Sequence, residues 1–509
     1  MFSSLVNSLP EIMNSLFNVQ TILCIIFGVL GGMIIGALPG LSANMGMALM
    51  LPFTYSLSPI SAIAMLMTIY TSAICGGSIS AILIHTPGTP SSAATALDGY
   101  PLTKQGRGME ALGTAMTSSM IGGTISAIAL IFLSAPLAAL SLKFGSLEYF
   151  FLACFGLSII ASLASKSVIK GLIAGVLGLI VGTIGIDAST GFPRFTFGII
   201  PFLGGIPTVP ALIGLFSLPQ VIDQLQDARG GKKTVNLADK EHVGKRILPP
   251  WKEYRKLIPT ILISSVIGTF AGILPGAGGE VRSWMAYNTA KNRSKDKGSF
   301  GKGNLEGVAA SEAGNNAVTG GAAIPMMTLG IPGSSGAAIL MGGLMIHGMQ
   351  PGGDLFGEHA ITTYAIMFGF LLANLFMGLL GLIIARYVIL ITKVPTNVLC
   401  PIVVVLAAIG SYAISNDMFN VYTMFVFGVI GYFLRKAEFP PAAMVLGLLL
   451  GKMAERGLRQ AINLSRGDLL GYFLERPFSI GLVVLIFLMV ILPIITAQLR
   501  KAKEKESVQ

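Results

Sequence analysis

The sequence predicts an all-α polytopic membrane protein built from two inverted-topology repeats, with re-entrant hairpins and broken helices. Three observations lead there: a charge-poor, apolar composition, a set of Pro-Gly breaks that occurs twice in the same order, and a pattern of Lys and Arg that reverses between the halves.

Of 509 residues, 53% are hydrophobic and only 11% charged, with 63 glycines and a mean hydropathy of +0.77. A soluble domain carries about 25% charged residues, so this chain lacks the polar surface to cover itself in water. Apolar stretches near the ~20 residues that span a bilayer recur. They run from Val19 to Leu38, Leu112 to Leu133, Ile261 to Leu274, Ala360 to Ile384 and Ile480 to Ile495. The shorter ones predict re-entrant or broken helices. The net charge of +11 lies mostly in loops, where cytoplasmic placement and anionic lipid headgroups account for it, so no nucleic-acid partner is expected. Cys24, Cys75, Cys154 and Cys400 stand singly with no CxxC spacing, which argues against zinc and against a disulfide framework. The N-terminus has no basic n-region, so the first apolar segment, with no cleavable signal peptide before it, is expected to direct insertion. No nucleophile elbow, HExxH or paired metal-binding carboxylates are found, which leaves an intramembrane enzyme without support.

The duplication is the most informative feature. Gly36-Ala-Leu-Pro-Gly40 returns as Gly272-Ile-Leu-Pro-Gly276, and a second break follows in each half, Thr86-Pro-Gly-Thr89 and Ile331-Pro-Gly-Ser334. A glycine pair precedes each second break, Gly76-Gly77 or Gly320-Gly321. The chain therefore divides into a first membrane repeat (1–225), a basic cytoplasmic linker (226–256), a second membrane repeat (257–477), and a final transmembrane helix with a cytoplasmic tail (478–509). The stretch from Leu257 to Tyr287 is expected to be a hairpin with both ends cytoplasmic.

Charge sets the orientation. No Lys or Arg precedes Lys104, and Lys104 with Arg107 follows the first half-site, so that segment is cytoplasmic by the positive-inside rule. The linker is cytoplasmic on the same ground. In the second half no Lys or Arg lies between Lys302 and Arg386, and the equivalent loop carries Asp354 and Glu358, so it is expected outside. Equivalent loops on opposite faces are what an inverted repeat requires.

Proline and glycine break helices for local reasons: proline removes a donor and clashes with the preceding turn, and glycine accepts reversing dihedrals. Unpaired backbone at membrane depth survives only where protein buries it or water reaches it, so the breaks predict a polar cavity. A half-helix starting at Pro87-Gly88 or Pro332-Gly333 presents free N–H groups to an anion. Thr86, Thr89, Ser91 and Ser92 in one half, and Ser334 and Ser335 in the other, add hydroxyl donors, or else simply permit close helix packing. Such donors recognise the anion and not its carbon skeleton.

Several runs resemble one family over about Val19 to Pro477. They are Gly36-Ala-Leu-Pro-Gly-Leu41, Ile69-Tyr70 with Gly76-Gly-Ser-Ile79, Thr86-Pro-Gly-Thr89 and Asp98-Gly-Tyr-Pro101. Further on come Gly185-Ile-Asp187 with Arg194-Phe-Thr-Phe-Gly198, Glu312-Ala-Gly-Asn-Asn-Ala317, Gly330-Ile-Pro-Gly-Ser334, and Leu446-Gly-Leu-Leu-Leu-Gly451 with Glu455. Together they are similar to the large permease subunit of the tripartite tricarboxylate transporters, the TctA family. The resemblance implies a multi-pass subunit of a bacterial inner membrane that takes up tricarboxylates or other small carboxylates. It implies partnership with a small membrane subunit and a periplasmic binding protein, no cofactor, and a sodium or proton gradient. The related ion-transporter superfamily further suggests an elevator motion of a mobile transport domain against a scaffold. An uncoupled anion channel or a scaffolding subunit is the alternative.

For a coupling ion, sodium prefers a cage of carbonyl, hydroxyl and amide oxygens. Ser42 and Asn44, with Asn315 and Asn316, are candidates for it, or alternatively helix caps. Glu312 and Asp98 are costly inside a membrane and are candidates for ion or proton coupling, or else lie in interfacial loops. Arg282 either meets an anionic substrate or pairs with Glu280 near a membrane surface, the pairing being favoured. His85 is expected to be a satisfied core histidine, with a proton relay as the alternative.

Overall fold

The structure, a computed structural model, describes residues 2–38, 41–141, 143–163, 168–187, 190–229, 244, 246–274, 279–391 and 396–488. Outside the described residues lie Pro39-Gly40 and Pro275-Gly276, the first break of each half, together with most of the basic linker, the side chain of Glu280 and the tail beyond Leu488.

The first half contains α1 (Phe2–Leu16), α2 (Val19–Ala37), α3 (Ala43–Met50), α4 (Pro59–Ile84), α5 (Ala93–Lys104), α6 (Gly108–Ser141), α7 (Ser146–Leu163) and α8 (Val168–Gly182). A two-stranded antiparallel hairpin follows, β1 (Gly185–Ile186) with β2 (Pro193–Arg194), and then α9 (Thr208–Arg229). The second half contains α10 (Trp251–Ile273), α11 (Gly279–Arg293), α12 (Leu305–Leu329), α13 (Ser335–Ile346), α14 (Gly353–Phe356) and α15 (Ala360–Ile391). It ends with α16 (Thr396–Ala413), α17 (Met418–Lys436), α18 (Pro441–Leu464) and α19 (Leu469–Leu474), before an apolar helix at Pro477–Leu488.

Among the described residues, seven helices are long and apolar enough to cross a membrane: α2, α4, α6, α9 over Thr208–Gln226, α10, α15 over Ala360–Ile384, and α17. Four of them contain the apolar stretches that begin at Val19, Leu112, Ile261 and Ala360. The other three are α4, α9 and α17, of which α9 and α17 have the lowest hydropathy of the seven. Helix α4 is the most buried of the seven, because its Ser, Thr and Gly face other helices and not lipid.

Local signals set the helix ends. Ser58 caps α4 by accepting from the Ser61 N–H, with Pro59 in the first turn, where a missing donor is not felt. Asn304 caps α12 through the Glu306 N–H at 2.7 Å. At their C-termini both helices close alike: His85 (φ 54°) and Gly330 (φ 70°) are left-handed, and the next N–H reaches back to the Ser80 or Pro325 carbonyl.

Packing relates the halves. Helix α2 lies along α4 as α10 lies along α12, and α15 packs on α4 as α6 packs on α12. Further out α9 packs on α16 and α17, as α18 packs on α7 and α8. Apart from α2 with α4 and α10 with α12, these pairs join helices of different halves, so the halves interlock. Glycine makes the closest approaches possible: a Cβ on Gly36 would lie 2.0 Å from the Ala73 carbonyl oxygen, and one on Gly272 would lie 2.8 Å from Gly321 Cα.

Candidate functional site

The two second breaks differ in how their polar groups are spent. In the first, the hydroxyls satisfy one another: Ser92 Oγ donates to the Thr89 carbonyl at 2.7 Å and accepts from the Thr89 N–H at 3.3 Å. Thr89 Oγ1 contacts Ser91 Oγ at 3.3 Å, and Thr86 Oγ1 donates to the Ile84 carbonyl. The Gly88 N–H donates to Gly77, and a Cβ on Gly88 would lie 2.0 Å from the Gly36 carbonyl oxygen. Gly88 therefore seats this break against α2 and α4, with Pro87 part-buried before it.

The second break gathers groups from both halves. Ser334 Oγ caps α13 by accepting from the Ala337 N–H and lies 2.9 Å from the Tyr70 hydroxyl of α4. Ser335 Oγ accepts from Asn44 Nδ2 of α3 at 2.8 Å. Pro332-Gly333 lies between these hydroxyls and α12, and the Gly333 carbonyl accepts from Arg282 Nη2 at 3.1 Å. Helix α11, which carries Arg282, packs against the turn Pro90–Ser92 of the first break. One guanidinium thus joins the helix beside the first break to the backbone of the second.

Glu280, the partner favoured for Arg282 from the sequence, has its side chain outside the described residues, so that pairing lies outside them too; Arg282 itself is described. It is fully buried, and Nη2 meets the Leu274 carbonyl at 3.2 Å as well as Gly333. Its Nε and Nη1 have no hydrogen-bond partner, and no carboxylate among the described residues pairs with it. Arg282 stands in the first turn of α11 and faces inward, which spacing from Gly276 alone does not reveal. A buried guanidinium with spare donors is costly unless an anion completes it.

His85 is corrected: it is exposed, beyond the last turn of α4, and stacks on Tyr100 at 4.6 Å. The left-handed cap carries its side chain out of the helix core.

The candidate ion residues fall in three places. Ser42 caps α3 and donates to Gln220 Oε1 at 3.0 Å, while Asn44 reaches the second break. Asp98 is fully buried, but its lone pairs are committed: Oδ2 accepts from Tyr287, and Oδ1 from the N–H groups of Gly301, Gly303 and Asn304. Four donors fit a clamp between α5 and the loop before α12. Glu312, Asn315 and Asn316 sit deep in α12, where Thr95 and Ser119 donate to Glu312 at 2.5 and 2.9 Å. Asn315 Nδ2 has no partner.

At the polar end of α18, the hairpin loop and the helix form a charged cluster. Arg194 holds Glu455 through two bonds of 2.5 and 3.2 Å, and Arg459 bridges Glu455 at 3.0 Å and also pairs with Asp187. Hydrogen bonds from Arg194, with Arg459 beside it, hold the Glu455 carboxyl below the usual carboxylate range. A cavity of about 450 Å³ opens over this cluster, and a second of about 390 Å³ reaches Gly330. Lys452 and Arg456 line both.

The fold and site define a multi-pass membrane protein with a buried cationic group at a broken helix, a combination suited to moving anions. The chain belongs to the tripartite tricarboxylate transporter TctA family, whose model matches residues 22–446. It is 37% identical over 459 residues, 90% of this chain and 89% of the relative, to an uncharacterized 52.8 kDa protein in the TAR-I ttuC' 3'region of Agrobacterium vitis. A second protein of that organism, from the TAR-II ttuC' 3'region, is 35% identical over 228 residues, 45% of this chain and 94% of the relative. No solved structure matches the chain.

Proposed function

We propose that this chain is the secondary-active permease subunit that imports tricarboxylates or other small carboxylates across a bacterial inner membrane. A sodium or proton gradient drives it, a periplasmic binding protein delivers the substrate, and a small membrane subunit completes the assembly. The observation that carries this reading is Arg282, a fully buried cation with two unpartnered nitrogens beside the Gly333 carbonyl and the Ser334–Tyr70 hydroxyl pair. A carboxylate accepting from Nε or Nη1 would neutralise it through a charge-assisted hydrogen bond. The matching helix pairs of the two halves support inverted repeats. Alternating access by an elevator motion then moves the Arg282 site past the outer helices.

The test is uptake of labelled citrate and succinate into proteoliposomes holding the chain with its two partner proteins. Accumulation above equilibrium under an inward ion gradient is expected. Equilibration that ignores the gradient would replace the permease with an anion channel. Arg282→Gln should weaken carboxylate binding by about 1.5–3 kcal/mol, the range for hydrogen bonds to a charged group. Unchanged half-saturation in a folded variant would remove Arg282 from the site.

A further inference from the structure

Three oxygens from three helices meet around Thr71 with too few protons to satisfy them. Thr71 Oγ1 of α4 lies 3.0 Å from Asn316 Oδ1 of α12 and 2.8 Å from Asn374 Oδ1 of α15. All three residues are buried, at 0% exposure. A hydroxyl has one proton, so it serves one amide oxygen and leaves the other facing a lone pair. Turning either amide around does not help. Asn374 Nδ2 is held by the Phe370 carbonyl at 2.8 Å, and Asn316 Nδ2 by the Ser119 carbonyl at 3.1 Å. Reversal would set oxygen against oxygen in both places.

One helical turn before Asn316 stands Glu312, on the same face of α12. Its carboxylate is fully buried and receives only the two hydroxyls of Thr95 and Ser119. No Lys or Arg among the described residues pairs with it. Ser119 links the two places, since its hydroxyl meets Glu312 and its carbonyl meets Asn316. Buried charge is retained only where something compensates it.

We propose that Thr71, Asn316 and Asn374 form a binding site for a desolvated monovalent cation, sodium in the first instance, with Glu312 as its countercharge. A cation resolves both problems: it accepts lone pairs from oxygens that have no proton to share, and it neutralises the carboxylate one turn away. Gly123 of α6 makes room for the Asn374 amide itself, since a Cβ there would lie 1.9 Å from Asn374 Oδ1. The assignment of this cation as the coupling ion rests on the permease reading. The site itself rests only on the oxygens.

The experiment uses the full-length chain, purified with its small membrane subunit and held free of carboxylate. Its melting midpoint is followed against sodium chloride, with choline chloride keeping ionic strength constant. A saturable rise in Tm with sodium is expected. Thr71→Ser keeps the hydroxyl and should keep the rise, whereas Thr71→Val, of nearly the same shape, should raise the half-saturating sodium concentration by about tenfold or more. Radioactive sodium bound to the wild-type complex should be displaced by unlabelled sodium and not by choline, which decides the matter if Thr71→Val misfolds. No saturable difference between sodium, lithium, potassium and choline, or equal behaviour of Thr71→Ser and Thr71→Val, would overturn the site. Because no carboxylate is present, a failed citrate assay leaves this result standing, and a failed sodium assay leaves the Arg282 test standing.

Discussion

Ser334 and Thr89 hold equivalent positions, yet their surroundings differ. Ser334 shares its hydroxyl with Tyr70 near Arg282, while Thr89 is turned into a closed set of bonds with Ser91 and Ser92. Ser334→Ala should therefore weaken carboxylate binding by ~0.5–1.5 kcal/mol, and Thr89→Ala should act mainly on stability. Isothermal titration with citrate beside a melting curve separates the two effects. Asp98 makes a different prediction. Asp98→Asn keeps an oxygen for the three backbone N–H groups but sets an NH₂ against the Tyr287 hydroxyl, which must turn its proton away, and the loss of the charge-assisted bonds costs about 1.5–3 kcal/mol of stability. A melting midpoint equal to wild type would show that Asp98 is not a clamp. The motifs around these residues could be read from the sequence, but which hydroxyls are shared and which remain available depends on neighbours hundreds of positions away.

The breaks depend on backbone approaching backbone. An added Cβ would lie 2.0 Å from the Gly36 carbonyl oxygen at Gly88, and 2.7 Å from the Gly272 carbonyl oxygen at Gly333. Gly88→Ala should accordingly destabilise more than Gly333→Ala, both within the ~1–3 kcal/mol typical of overpacking, as read by denaturation in detergent. The reverse order would contradict the packing described for the first break. The hairpin β1–β2 is tied to α18 by charge, and here pH is informative. Because the folded state holds the Glu455 carboxyl below its ordinary value, the contribution is complete above the unfolded carboxylate pKa and disappears as pH falls through the folded one. Protease cleavage in the loop after β2 should increase on acidification. In Glu455→Gln that dependence should flatten, with a stability loss of up to ~1 kcal/mol at neutral pH.

The halves interlock: α9 of the first half is held by α16 and α17, and α18 of the second by α7 and α8. Topology is the feature on which the inverted repeat stands. Cysteines introduced singly at Lys104 and Asp354 should label from opposite faces of sealed vesicles, and labelling from one face would remove the inversion. The family implies that this chain works with others, so the chain alone should transport poorly. Full concentrative uptake by the purified chain without partners would count against a tripartite assembly.

Composition and order alone determined that this is a helical membrane protein with duplicated Pro-Gly breaks, because hydropathy and helix-breaking are properties of short stretches. The family too was legible there, carried by motifs in sequence order. Tertiary structure decided the rest. It placed Arg282 inside at the second break, exposed His85, and committed Asp98 to a clamp. It also brought Thr71 and Asn374, which no motif marks, to Asn316. The physical reason is that a buried polar group takes its meaning from the partners it finds or lacks. For Thr71 those partners come from α12 and α15, helices that only packing brings to α4.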